Sequence, residues 1–169
     1  PQVSALTTEE KRNEVQAFVE RVRNMPERER MARQQPEGVF TGAYAIHPFT
    51  GEELPIWIAD YVITGYGTGA VMGVPAHDQR DWIFARAHGL PVKQVIDHQQ
   101  ANIDERAWEE KEGVLVNSDF LNGLDVSRAI ERAIEEIERR GVGKRRINYR
   151  LRDFLFSRQR YWGEPIPVV

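Results

Sequence analysis

The sequence contains no cysteine among its 169 residues, which excludes a disulfide framework and any metal site built on thiolates. It also has no apolar run that approaches the roughly 18–20 residues needed to cross a bilayer. No signal-peptide pattern opens the chain. The lack of cysteine does not fix the compartment, but the other two absences lead us to expect a cytoplasmic protein without a membrane partner.

The composition is that of an ordinary folded domain. Apolar residues make up 41% of the chain and charged residues 29%, which excludes the low-hydrophobicity profile of a disordered protein. The length is sufficient for one domain with a sizeable core that needs neither disulfides nor metals to hold it together.

The charge is unevenly distributed. The net charge is −3, but residues 144–169 carry seven basic and two acidic side chains, so this end has +5 and the rest −8. An acidic body with a basic end fits a nucleic-acid partner. On charge alone it fits equally well a basic surface that only keeps this end soluble.

The first half of the chain predicts helices followed by short strands. Apolar residues at helical spacing predict an N-terminal helix, and Thr7 and Glu10 have the spacing of a capping box. Residues 38–74 are rich in β-branched and aromatic residues and contain a Pro-Phe-Thr-Gly turn, so they predict three or four short strands. After Pro75 a short helix is predicted, which ends at Gly89.

The second half predicts two further strands and one clear helix. Residues 97–112 are polar and are expected to be a surface excursion between the strands "VKQVI" and "GVLVNS". The helix is capped by Asp125 or Ser127 and ends at Gly141. The predicted fold class is α+β: a compact, mixed, partly closed, barrel-like sheet with flanking helices. A regular βαβ order is not supported.

Residues 65–85, "GYGTGAVMGVPAHDQRDWIFA", are the most informative stretch. Gly65, Gly67 and Ala70 fit a permissive dinucleotide fingerprint, but that motif requires a helix to begin at the glycines. Here the glycines lead into an apolar run that predicts a strand and that Pro75 ends. Dinucleotide binding is therefore disfavoured.

The acidic residues of the same stretch allow several interpretations. His77, Asp78 and Asp81 have donor atoms that suit divalent metals, yet the other histidines show no partner spacing. Asp78 can cap the following helix, with Asp81 reaching back to complete a capping box. A carboxylate beside an apolar surface can also bind a substrate ammonium group. The residue types alone leave the last two interpretations open.

The sequence of residues 65–85 resembles the pattern of a known family. It follows the pattern G-Y-G-T-G-A-V-M-x-V-P-A/G-H-D-x-R-D-aromatic-x-F-A of the editing (connective polypeptide 1) domain in bacterial-type leucyl-tRNA synthetases. The similarity extends through "TGAYAIHPFTGEELPIWIADYV" and "YRLRDFLFSRQRYWGEPIPVV". It implies the editing-domain fold of class I synthetases, with residues 1–143 as the editing domain and 144–169 as a basic segment returning to the catalytic domain.

The resemblance implies an activity on RNA. An editing domain hydrolyses the ester of tRNA(Leu) mischarged with norvaline or isoleucine, because one methylene gives a binding pocket only about 1–3 kcal/mol of discrimination. Water is the implied nucleophile and no cofactor or metal is expected for editing; ATP and magnesium belong to the parent leucine–tRNA ligase. The implied partners are the mischarged 3′ end of tRNA(Leu) and the remainder of the synthetase.

The resemblance also implies the site residues. Asp81 matches the aspartate that binds the α-ammonium group of the substrate. It is expected to act in catalysis together with Asp78 and Thr68. Residues expected to bind the substrate in the same pocket are Tyr66, Met72, Val74, His77 and Arg80.

The chain also departs from the family pattern. The threonine-rich T-T-R-P-D-T segment, which forms the other wall of the editing pocket, is not found, and neither are the HIGH-type and KMSKS-type signatures. Gly73 replaces a common alanine and Trp82 a common tyrosine. We therefore expect a fragment of a larger synthetase. The alternative is a structural or tRNA-docking piece that is inactive alone because the threonine-rich wall is missing.

Overall fold

The computed structural model describes residues 2–33, 35–62 and 70–147. In these ranges the chain forms five α-helices and four β-strands. Short 3-10 turns occur at Glu9–Lys11 and Asp119–Leu121. In chain order the elements are α1 Gln2–Leu6, α2 Arg12–Arg23, α3 Glu27–Ala32, β1 Gly38–Ile46, β2 Glu53–Ala59, α4 Gln79–Ala87, β3 Ile96–Asp97, β4 Val114–Leu115 and α5 Val126–Arg139.

The described strands form two separate antiparallel pairs, β1–β2 and β3–β4. The mixed α/β character is confirmed. The partly closed, barrel-like sheet is not confirmed, since neither of these small sheets closes on itself. Residues 70–74, predicted as part of a strand, are irregular. The Val74 N–H donates to a carboxylate instead of to a neighbouring strand, so that prediction was wrong.

The N-terminal helices pack on the first strand pair. Val15 and Phe18 of α2 are buried together with Val39 of β1, which accounts for the predicted apolar face. The predicted capping box is wrong, because the hydroxyl of Thr7 donates to the carbonyl of Val3 at 2.6 Å and so belongs to the preceding turn. The helix itself therefore depends on apolar burial more than on its cap.

The pair β1–β2 provides the surface on which α4 packs. Phe84 is a buried residue of α4 and meets the ring of Trp57 on β2, with ring centroids 5.5 Å apart. Gly38 leaves the space for this contact, since a Cβ there would lie 2.6 Å from the Phe84 ring. This packing brings α4 against the hairpin.

The prediction that residues 97–112 form a surface excursion is partly wrong. Ala107 and Trp108 are buried, with 5% and 7% of their surface exposed. The Trp108 N–H donates to the carbonyl of Ala76 at 2.9 Å, and the Ala107 N–H donates to the side chain of Gln79 at 3.0 Å. An Ala-Trp pair inside a polar run was the available signal, and it marks the part of the segment that supports the start of α4.

The last helix begins where the sequence predicts. The Asp125 side chain accepts a hydrogen bond from the Arg128 N–H at 3.0 Å, so Asp125 and not Ser127 is the cap. Gly141 follows the helix with a positive φ of 68°. The side chain of Arg140 donates to the carbonyl of Pro48 at 2.9 Å and thereby ties this end to the β1–β2 turn.

Two further expectations meet the limits of the described ranges. Residues 144–147 have no regular secondary structure, and the rest of the predicted basic segment 144–169 lies outside the described residues, so the boundary at 143 stays a prediction. Within the described part of the chain, every helix is too short or too polar to cross a membrane.

Candidate functional site

The candidate site is built around the first turn of α4. The side chain of Asp78 accepts from the N–H groups of Arg80 at 2.9 Å and Asp81 at 3.0 Å, which confirms the predicted helix cap. Two acidic residues at this end also face the positive pole of the helix dipole. The cap therefore fixes where Asp81 stands relative to the preceding loop.

Asp81 does not complete a capping box. The Asp78 N–H already donates to the carbonyl of Val74 at 3.0 Å, so it is not the partner of the Asp81 side chain. Instead, one oxygen of Asp81 accepts from the Tyr61 hydroxyl at 2.6 Å and the other from the Val74 N–H at 2.7 Å. Each carboxylate oxygen has two lone-pair sites, so these two bonds leave acceptor capacity on both oxygens.

Tyr61 is a site residue that the sequence did not reveal. Burial, followed by the hydrogen bond to Asp81, raises the pKa of the Tyr61 hydroxyl well above its usual range. The phenol is therefore protonated at neutral pH and acts as the donor. The signal in the sequence was weak: a tyrosine two residues after β2, in the "WIADYV" run, 20 positions before the aspartate it contacts.

His77 links three segments. Its Nδ1 lies 2.9 Å from the carbonyl oxygen of Trp108, and its Nε2 accepts from the Val95 N–H at 3.4 Å. With Nε2 as an acceptor, Nδ1 is the nitrogen that donates to the Trp108 carbonyl. Both ring nitrogens are engaged by backbone, which gives His77 a structural role; its predicted contact with substrate stays a prediction.

The loop before α4 adds an apolar surface beside the carboxylate. Met72 and Val74 are 58% and 47% exposed. Between them, Gly73 has room for a methyl group, since a Cβ there would lie 3.8 Å from the nearest Asp81 oxygen. A charged acceptor next to accessible apolar side chains can bind a ligand with an ammonium group and a short hydrocarbon chain.

The structure brings together the predicted site residues that lie in its described ranges. Six predicted residues lie at or beside the start of α4: Met72, Val74, His77, Asp78, Arg80 and Asp81. Tyr66 and Thr68 lie outside the described residues, so their place in the site stays a prediction. In the described ranges, no group of three or more His, Asp or Glu side chains is arranged to hold a metal ion.

Comparison with known proteins identifies the family of the chain. A family model described as leucyl-tRNA synthetase, editing domain, matches residues 2–138. The chain belongs to this family. The resemblance seen in residues 65–85 is thereby confirmed and extends over nearly the whole chain, which places it among aminoacyl-tRNA synthetase sequences of protein biosynthesis.

Similar curated proteins are leucine–tRNA ligases. The ligase of Porphyromonas gingivalis is 51% identical over 171 residues and matches 98% of this chain. The ligase of Azobacteroides pseudotrichonymphae is 50% identical over 158 residues and matches 94% of it. The chain spans only 18% and 17% of the lengths of these two relatives.

A similar fold is found in a solved structure described as the ternary complex of Agrobacterium radiobacter K84 agnB2 LeuRS, tRNA and LeuAMS. The TM-score is 0.55 at 33% sequence identity, and the match covers 77% of this chain and 13% of that one. The editing-domain fold is thus supported by a relative in sequence and in structure.

Proposed function

We propose that this chain is the post-transfer editing domain of a leucyl-tRNA synthetase. Its substrate is tRNA(Leu) esterified at its 3′ end with norvaline or isoleucine, and the rest of the synthetase is its structural partner. Family membership over residues 2–138 supports the role, as does the tRNA bound in the Agrobacterium complex.

The observation that carries the proposal is which groups donate hydrogen bonds to the Asp81 carboxylate. Its two observed donors, a phenol and a backbone amide, are both uncharged, so they orient the carboxylate without cancelling its charge. A part-buried anion held in this way can pair with the α-ammonium group of an aminoacyl ester. The exposed side chains of Met72 and Val74 offer an apolar surface to the amino-acid side chain.

The reaction is an ester hydrolysis. A water molecule attacks the ester carbonyl carbon, the bond from that carbon to the ribose oxygen breaks, and the ribose hydroxyl leaves with a proton. The products are the free amino acid and tRNA(Leu) ready for recharging. By resemblance to the family, Thr68 and Asp78 assist at this step, and Tyr66, His77 and Arg80 complete the binding surface. Neither ATP nor a metal is part of the proposed chemistry.

The test is deacylation of norvalyl-tRNA(Leu) without ATP, by the full-length synthetase and by the chain alone. We expect the synthetase to release norvaline much faster than the spontaneous rate and to spare leucyl-tRNA(Leu). Binding of tRNA(Leu) without hydrolysis in both samples would refute the proposal and favour a docking role. If the full-length synthetase hydrolyses the ester and the isolated chain does not, the site needs further segments of the synthetase.

A further inference from the structure

We propose that Tyr61 is a positioning residue of the editing site: its hydroxyl fixes the orientation of the Asp81 carboxylate that receives the substrate ammonium group. The inference rests on the proposed function. It starts from the 2.6 Å hydrogen bond between the Tyr61 hydroxyl and Asp81, a length typical of a strong bond to a charged oxygen.

The two donors to Asp81 come from different environments. Val74 belongs to an irregular loop and is 47% exposed, so its amide offers a support that water can replace. Tyr61 follows β2 and its ring packs against the buried Phe84, with centroids 5.8 Å apart. The phenol is thus the donor that connects the carboxylate to the hydrophobic interior.

The backbone next to Tyr61 is itself held in place. Asp60 is 2% exposed, and its carboxylate accepts from the Glu37 N–H at 3.0 Å while its own N–H donates to the Glu37 carbonyl at 3.0 Å. Arg33 approaches the same carboxylate at 3.7 Å. These two hydrogen bonds between Asp60 and Glu37 tie the end of β2 to the segment before β1. The backbone next to Tyr61 is therefore held in place.

The consequence for binding is geometric. With a donor on each oxygen, the carboxylate cannot rotate freely about its terminal bond, and its remaining lone pairs keep one direction. Removing the hydroxyl leaves only the loop amide as a described restraint. A bound ammonium group must then order the carboxylate itself, which lowers affinity.

The test is Tyr61→Phe in the full-length synthetase, with Tyr44→Phe as the matched control. Tyr44 lies on β1 and is 52% exposed. We expect Tyr61→Phe to lower kcat/KM for norvalyl-tRNA(Leu) deacylation by about tenfold, the scale of one hydrogen bond to a charged group. Tyr44→Phe should change it less than twofold.

A second substrate separates positioning from general damage. Pentanoyl-tRNA(Leu) has the same hydrocarbon chain as norvalyl-tRNA(Leu) but no α-amino group. If Tyr61 acts through Asp81 and the ammonium group, Tyr61→Phe should deacylate this ester at the rate of the unchanged protein. An equal loss on both esters, or no loss on either, would overturn the inference.

Asp81→Ala distinguishes this inference from the proposed function. If Asp81→Ala loses norvalyl-tRNA(Leu) deacylation while Tyr61→Phe retains it, only the positioning role fails. If Asp81→Ala deacylates normally, the assignment of the ammonium site fails as well. Tyr61→Phe must also match the melting temperature of the unchanged protein to within a few degrees; a collapse of the fold would assign Tyr61 to stability and overturn the positioning role.

Discussion

Replacing Asp81 with alanine is the perturbation that bears most directly on the site. The change removes the acceptor of the Tyr61 hydroxyl at 2.6 Å and of the Val74 N–H at 2.7 Å, and it removes the negative charge between them. The amide lies on an exposed loop, where water can take the place of the carboxylate. We therefore expect the variant to fold, with its main defect in binding the substrate ammonium group.

The size of the expected loss in editing activity follows from the environment of the Asp81 carboxylate. Breaking a buried ion pair by removing one partner costs about 3–5 kcal/mol. The Asp81 site is only partly buried, so solvent screening places the loss at the lower end, about 3 kcal/mol. Since each 1.36 kcal/mol is about tenfold in rate, kcat/KM for deacylation of norvalyl-tRNA(Leu) should fall more than about a hundredfold.

The assay compares two activities of the full-length synthetase. Release of radiolabelled norvaline from norvalyl-tRNA(Leu) measures editing, and formation of leucyl-tRNA(Leu) measures aminoacylation. We expect Asp81→Ala to lose the first and to keep the second largely intact. Asp104→Ala removes an exposed aspartate that lies outside α4 in the sequence, and it should leave both activities unchanged.

Two results would refute the reasoning. An equal loss of editing and leucylation would mean that Asp81 supports the whole protein and not the editing site. Normal editing by Asp81→Ala would mean that the ammonium group binds elsewhere. Asp81→Asn sharpens the comparison, because it keeps one oxygen acceptor but removes the charge; editing restored by asparagine would make the hydrogen bonds, not the charge, the essential feature.

Two further predictions concern stability. Trp108→Ala should lower the free energy of unfolding by about 3–5 kcal/mol in chemical denaturation, because it empties a buried space and removes the ring that stacks on His98 and donates to the Glu112 carbonyl. Val142→Ala, at a 60% exposed site, should change the free energy of unfolding by less than about 0.5 kcal/mol. Equal losses in the two variants would contradict this packing role. Hydrogen bonds from Arg139 and then Arg140 lower the pKa of Glu136 to about 2. The pKa of an unfolded glutamate is about 4.3, so this contribution is complete above that pH and is lost as the pH falls toward 2. Glu136→Gln should flatten the acid limb of a stability profile; an unchanged limb would refute the assignment.

The parts of the fold that could be predicted are those whose cause is local. Asp78 and Asp125 cap the helices that follow them because a cap joins a side chain to an N–H two or three residues away. Gly89 and Gly141 end helices with positive φ angles, which glycine adopts without strain. Such bonds depend on neighbours in sequence, so residue types are enough to predict them.

The strands were harder to predict because a strand needs a partner. Residues 70–74 and the runs around Ile96 and Leu115 have the composition of strands, but only two residues of each later run pair. Composition shows that a segment can lie in a sheet, whereas pairing depends on which other segment packs beside it. The predicted barrel-like sheet went beyond the pairing found in the described residues for this reason.

The sequence by itself determined the family, the helix boundaries at α4 and α5, and the cluster of acidic and apolar residues around Asp81. Only the tertiary structure decided what the Asp81 carboxylate contacts: not the helix cap three residues before it, but Tyr61, 20 residues away. The reason is that the Asp78 N–H, which a capping box would use, already donates to the Val74 carbonyl. Burial of Phe84 against the β1–β2 pair then brings Tyr61, which follows β2, close enough for its hydroxyl to donate to Asp81.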